Sequence, residues 1–199
     1  MTSDRRVLFF GDSFVAGVGD RECRGWVGRV TAASAAADMS FTAYPLGVRR
    51  DTSAQVAARW RAEALPRLAD DADCRVVFSF GANDATVECG QRRVEPDLSA
   101  KTLARVLDEA AQLDLRAFVV GPPPVADVEQ DDCIARLSQR FGTICAQREV
   151  PFVAVFDALG ASPIWAQEAQ EGDGVHPGAG GYEALACLVL AGGWLDWLR

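Results

Sequence analysis

The chain has 199 residues and a net charge of −8, from 20 basic and 28 acidic side chains. That length suits one domain, expected over 1–199, with a substantial core, and 49% apolar with 24% charged residues excludes a disordered polyelectrolyte. So acidic a surface disfavours nucleic acid and anionic membranes, whose phosphates would repel it; the pair Arg49-Arg50 does not make a nucleic-acid groove.

Met1–Arg6 leads into only the short apolar run Val7–Phe10, too little for a secretory signal. The apolar C-terminal stretch Ala184–Leu190 is too short to cross a bilayer. A cytoplasmic protein without stable membrane insertion is expected, although a mature chain cut from a precursor would look the same.

In chain order, Val7–Phe10 reads as a buried strand ending at Gly11, and Trp26–Met39 as an alanine-rich helix. Phe41–Leu46 is a second strand. The helix that follows runs from Thr52 to Leu68, with Asp51, Thr52 or Ser53 as N-cap. Arg75–Phe80, rich in β-branched and aromatic residues, is a third strand. A helix over Leu98–Leu113, with Ser99 as cap, leads to strand four at Ala117–Val120, stopped by Gly121 and three prolines. Asp131–Arg148 is helical, Phe152–Phe156 is strand five, and Gly178–Leu190 opens the last helix. Trp194, Leu195, Trp197 and Leu198 form an apolar end that packs on the body or makes a subunit contact; oligomeric state is left open, a homo-oligomer included.

Strands alternating with helices imply an α/β fold: a three-layer α/β/α sandwich around a five-stranded parallel sheet. The near-continuous apolar strands fit burial on both faces. In such folds ligands bind beyond the carboxyl ends of the strands. Ser13 follows strand one, Gly47 strand two, Asn83 strand three, and Asp173 and His176 strand five, all on one edge of the sheet.

His176 is the sole histidine, hence the one imidazole available as a base near neutral pH. The six cysteines form no CxxC pair, and free thiols are expected, with Cys74, Cys145 and Cys187 as core fillers. The ligand spacings of a zinc site are absent. Ser13 stands on a turn containing Gly11, which can present a hydroxyl and aim backbone N–H groups at one point. Asp173, three residues before His176, is close enough to orient the imidazole. Taken singly, each piece has a plainer reading: Asp12-Ser13 and Asn83-Asp84 as turn caps, and Gly47 as a turn glycine.

Together these blocks resemble the GDSL, or SGNH, hydrolases. They are Gly11-Asp12-Ser13-Phe14-Val15-Ala16-Gly17, Leu46-Gly47-Val48-Arg49-Arg50-Asp51-Thr52-Ser53, Gly81-Ala82-Asn83-Asp84, and Asp173-Gly174-Val175-His176-Pro177. The resemblance spans essentially the whole chain and implies a flavodoxin-like SGNH-hydrolase fold. It makes Ser13 the nucleophile, His176 the base and Asp173 its orienter. The oxyanion hole would comprise the Ser13 and Gly47 N–H groups and the Asn83 side chain. No metal or organic cofactor is implied, and the partner is a small-molecule ester. Asp12 and Asp84 read as residues that order their turns.

Tyr44-Pro45 stands where many relatives carry Asn, and Arg49-Arg50 follow Gly47 directly. With Trp165, Arg49 and Arg50 are the candidates for substrate contact, the arginines narrowing the site or recognising an anion. A serine esterase for short or small soluble esters is expected. A thioesterase, carbohydrate deacetylase, lysophospholipase or acyltransferase would use the same site, and a non-catalytic binding module is the contrasting class. A phosphate binder is disfavoured, because no Gly-x-Gly-x-x-Gly follows the first strand.

Overall fold

Val7, Leu8, Phe9 and Phe10 are all completely buried in a computed structural model that describes residues 4–199. Their burial follows from β1 (Arg5–Gly11) lying inside the sheet, with a strand on each side and helices on both faces. Along the chain follow α1 (Gly25–Ala36), β2 (Thr42–Gly47), α2 (Ser53–Ala64), β3 (Asp73–Ser79), the hairpin β4 (Val87–Glu88) and β5 (Gln91–Arg92), α3 (Pro96–Gln112) and β6 (Arg116–Val120). Then come α4 (Val128–Ala146), β7 (Phe152–Val153), α5 (Phe156–Gly160), α6 (Pro163–Glu171), α7 (Ala179–Val189) and α8 (Leu195–Leu198). The main sheet has five parallel strands in the order β2-β1-β3-β6-β7.

The strand period of two divides the core. Val7, Phe9, Val77 and Phe118 face α1, α7 and the segment after α7, where Trp26, Tyr182 and Trp194 respectively complete one layer. Leu8, Phe10, Val76 and Phe78 face the opposite way, onto Val56 and Trp60 of α2, Leu103 of α3 and Phe141 of α4. Two of the buried indoles find side-chain partners: Trp60 Nε1 donates to Glu109 at 2.9 Å and Trp194 Nε1 to the Ser34 hydroxyl at 2.9 Å. Replacing either tryptophan by alanine should cost about 3–5 kcal/mol. Trp194, Trp197 and Leu198 are buried against the body, which resolves the apolar end as core.

Several expected boundaries move, each for a local reason. Strand five is Phe152–Val153 rather than Phe152–Phe156: its neighbour β6 ends at Val120, with Gly121 and Pro122 beyond it, and proline offers no ladder donor. The sequence reading did not anticipate α5 and α6, although Ser162-Pro163 is a helix start, with proline at the first helical position. Helix α3 begins at Pro96 with Glu95 at the N-cap, so Ser99 lies inside the first turn. Thr52 is the cap of α2, its hydroxyl accepting from Gln55 N while the Gln55 side chain accepts from Thr52 N at 2.9 Å. That helix gives way at Leu65–Arg67 to a tighter turn containing Pro66. Cys187 is exposed on α7, not a core filler, whereas Cys133 and Cys145 are buried.

Chain order makes β1 the switch point of the sheet, since β2 lies on one side of it and β3 on the other. A crevice opens outside the carboxyl ends of strands at such a point. Among the described residues, no helix is long and apolar enough to cross a membrane.

Candidate active site

The turn after β1 is forced by close packing. A Cβ on Gly11 would lie 2.0 Å from the Ser79 carbonyl oxygen and 2.5 Å from Val15 Cγ2, so only glycine passes. Beyond it Ala16 N donates to Asp12 O at 3.1 Å and Val18 N to Ser13 O at 3.1 Å, which winds the chain tightly around Ser13. Asp12 Oδ1 accepts from Phe14 N at 3.0 Å.

The loop between α6 and α7 brings His176 to this turn. Asp173 organises the loop: Oδ1 accepts from Val175 N at 3.0 Å and from His176 N at 2.9 Å, while Oδ2 lies 2.7 Å from His176 Nδ1. His176 Nε2 is 2.7 Å from Ser13 Oγ. Burial alone would raise the Asp173 carboxyl, but the His176 amide, its imidazole and the Val175 amide outweigh it and hold the group near a pKa of about 2. Asp173 is therefore ionised over any ordinary pH and fixes Nδ1 as the protonated ring nitrogen, leaving Nε2 to accept from Ser13.

Further contacts hold the imidazole in place. Phe14 lies against the ring at a centroid distance of 5.0 Å, and Trp165 stacks behind Phe14 at 5.9 Å. Gly19, at φ +91°, lets the chain pass over His176, where a Cβ would meet Pro177 O at 2.6 Å. The Tyr182 hydroxyl donates to Val18 O at 2.7 Å, tying that loop to α7.

Asn83, after β3, reaches the same cleft; its Nδ2 donates to Asp51 O at 3.1 Å and to Asp12 Oδ2 at 3.3 Å. The next residue, Asp84, is buried and accepts from Ser53 N at 2.7 Å, anchoring the loop to the N-terminus of α2. Burial raises the Asp84 carboxyl above its ordinary range. Asp12, also buried, is pushed up to about 7, by burial first and then by Asp84 and Asp51 nearby, against the Phe14 and Asn83 hydrogen bonds.

The cleft over Ser13 has a volume of about 530 Å³ and is walled by Phe14, Arg49, Arg50, Asn83, Arg93 and Gln130, among others. Arg49 stands 63% exposed at the rim, 4.0 Å from Asp173 Oδ2. Arg50 pairs with Glu88 at 2.6 Å, and Arg93 Nη1 donates to Arg50 O at 2.8 Å. The hairpin that carries Glu88 turns through Cys89 (φ 53°) and Gly90 (φ 77°). Sequence reasoning brought Arg49 and Arg50 to this rim but missed the hairpin that meets them, although the glycine between polar residues was a usable turn signal.

Two sequence expectations need correction. Trp165 is 3% exposed, its Nε1 donating to Pro124 O at 3.2 Å, and it backs Phe14 rather than facing the cleft. Gly47 is paired with Gly11 on β1 and is not among the cleft-lining residues. Its lack of a side chain is needed for close approach: a Cβ would lie 2.4 Å from Ala16 N and 2.5 Å from Asp12 O. Three residues on, Arg50 lines the cleft with a left-handed backbone, φ +66°, and its amide donates to no acceptor among the described residues. The same holds of the Ser13 amide.

A hydroxyl, an imidazole and a carboxylate in one hydrogen-bonded chain, beside amide donors, is machinery for acyl transfer. A model of the GDSL-like lipase/acylhydrolase family matches residues 9–184. The chain belongs to the GDSL-like lipase/acylhydrolase family. It is accordingly a hydrolase acting on ester bonds.

Solved structures share the fold. The lipase/acylhydrolase from Enterococcus faecalis is 24% identical, with a TM-score of 0.77 over 94% of each chain. The acetylxylan esterase Axe2 from Geobacillus stearothermophilus is 21% identical, with a TM-score of 0.78 over 99% of this chain and 97% of that one. TesA is 22% identical, with a TM-score of 0.75 over 94% and 97%. A search of curated protein sequences finds no match.

Proposed function

We propose that this acylhydrolase is a serine esterase for short acyl groups on polar alcohols, working through an acyl-enzyme. The observation that carries the reading is the chain Ser13 Oγ to His176 Nε2, 2.7 Å, and His176 Nδ1 to Asp173 Oδ2, 2.7 Å. Ser13 Oγ attacks the ester carbonyl carbon as Nε2 takes its proton. The tetrahedral oxyanion collapses by breaking the bond to the alcohol oxygen, which receives that proton from His176. Water then repeats the sequence on the acyl-Ser13 ester and releases the acid.

The oxyanion needs donors already in place. We assign the Ser13 amide, the Asn83 side-chain amide and, in place of Gly47, the Arg50 amide. The Arg50 assignment rests on its position in the cleft wall, its free N–H and the left-handed backbone that the loop holds there.

The cleft wall is about as polar as apolar and carries Arg49, Arg50, Arg93, Asp127 and Gln130. Such a wall suits a hydroxyl-rich alcohol better than a long alkyl chain, in keeping with the acetylxylan esterase among the structural neighbours. Arg49, exposed at the rim, supports a second reading in which the substrate carries an anionic group.

The test is a series of nitrophenyl esters from acetyl to decanoyl. The expected outcome is a kcat/KM highest at acetyl or butyryl and falling beyond; a maximum at decanoyl contradicts the short-acyl assignment. Arg49→Ala should leave KM for a neutral acetyl ester within about twofold while raising it for an anionic one.

A further inference from the structure

Asp12 is 2% exposed, next to the nucleophile, and among the described residues no cation contacts it. The charged and titratable groups around it are Asp84 from the loop after β3, Asp51 before α2 (itself paired with Arg59 at 2.7 Å) and Tyr182 from α7. A carboxylate buried among carboxylates is costly. Ordering the turn does not account for it, because an asparagine oxygen at the same place would accept the Phe14 N–H equally well. What a carboxylate adds is a second acceptor. Its Oδ2 takes one N–H of Asn83 at 3.3 Å, while the Asp51 carbonyl takes the same amide nitrogen at 3.1 Å.

Resting on the serine-esterase reading above, we propose that Asp12 is a positioning residue of the oxyanion hole. Its carboxylate grips the Asn83 amide and sets where Nδ2 stands over the cleft, the N–H in this longer, 3.3 Å bond being the one the oxyanion shares, while its other oxygen holds the amide of Phe14, the ring that packs on His176. One buried group thereby ties an oxyanion donor to the support of the base.

The arrangement works only with Asp12 ionised. Each of its oxygens faces an N–H donor, Phe14 N on one side and Asn83 Nδ2 on the other, so a proton on either oxygen meets a donor. Because burial holds the carboxyl near a pKa of about 7, this grip loosens as the pH falls through neutrality. The acid side of the activity profile then carries the ionisation of Asp12.

The decisive variant is Asp12→Asn. Its oxygen can keep the Phe14 N–H, but its NH2 faces the NH2 of Asn83, donor against donor. At pH 8 with an acetyl ester, kcat should fall at least about tenfold with KM within about twofold, as for loss of an interaction made in the transition state. The acid limb of log kcat/KM should lose the Asp12 ionisation and become shallower than in the wild type. Asn83→Ala gives an independent reading if Asp12→Asn does not fold. With the gripped amide gone, the Asp12 ionisation no longer reaches turnover through the oxyanion hole, and the acid limb again becomes shallower than in the wild type. Wild-type kcat in a folded Asp12→Asn, or identical acid limbs in wild type and Asn83→Ala, overturns the proposal. Labelling of wild-type Ser13 by a fluorophosphonate separates the two layers. A labelled enzyme with either contrary result loses only the role of Asp12, whereas an unlabelled one loses the serine-esterase reading and this proposal with it.

Discussion

His176 Nε2 lies 2.7 Å from Ser13 Oγ although the two residues are 163 positions apart in the chain. The contact exists because β1 and the loop before α7 end on the same edge of the sheet, and because Asp173, Phe14 and Gly19 fix the imidazole from three directions. Groups that act as one unit lose their effect together. Ser13→Ala and His176→Ala should each lower kcat at least about 10³-fold, and the double variant should be no worse than either single one. Full multiplication of the two losses, measured with an acetyl ester, contradicts a shared catalytic unit.

Asp173→Asn separates geometry from charge. The asparagine oxygen can still accept the loop amides, but its NH2 now faces Nδ1 and drives the imidazole to the wrong tautomer. A loss of about 10²–10⁴-fold in kcat is expected, with Tm nearly unchanged. Since the Asp173 carboxyl is held near about 2, no activity step between pH 4 and 9 should belong to it in the wild type.

Arg50→Gly tests whether the backbone or the guanidinium of that residue matters. Glycine adopts φ +66° without strain, which relieves about 1 kcal/mol and offsets the exposed ion pair with Glu88. Tm should hold or rise and kcat should stay within about threefold, because the amide remains. A loss beyond tenfold in kcat places the guanidinium in the reaction instead.

Asp73 links the fold to pH. Its carboxylate accepts from Arg75 Nε at 2.8 Å and Nη2 at 2.7 Å and from Arg5 Nε at 2.7 Å. Arg75 chiefly, then Arg5, hold the Asp73 carboxyl down to about 2 against its partial burial. A carboxyl lowered in the folded state adds stability above its unfolded pKa of about 3.9, and that stability is lost as the pH falls toward 2. Denaturant unfolding should show the protein weakening over this window. Asp73→Asn should be less stable by about 1–3 kcal/mol at pH 7, with the difference shrinking below pH 3.

Much of this was legible in the sequence wherever the signal was local and apolar. The run Val7–Phe10 announced β1, and the capping candidates Asp51, Thr52 and Ser53 announced the start of α2, since strand burial and capping depend on near neighbours. Ser13, Asn83, Asp173 and His176 were readable as one edge because parallel strands deliver their carboxyl ends together. Gly47 and Trp165 were misread for a tertiary reason. A glycine required by a neighbour's backbone and a glycine offering its amide look alike in sequence, and Trp165 is hidden by Phe14, which is far from it along the chain. The hairpin at Val87–Arg92 was missed because strands this short have no periodicity to read.

The central claim is that Ser13 is a nucleophile activated by His176. The most direct measurement is labelling of the purified protein with a fluorophosphonate, followed by peptide mass spectrometry. The account predicts a single adduct on Ser13, formed quickly in the wild type and slowed at least about 10³-fold in His176→Ala. An unlabelled Ser13, or labelling that is indifferent to His176, would contradict it.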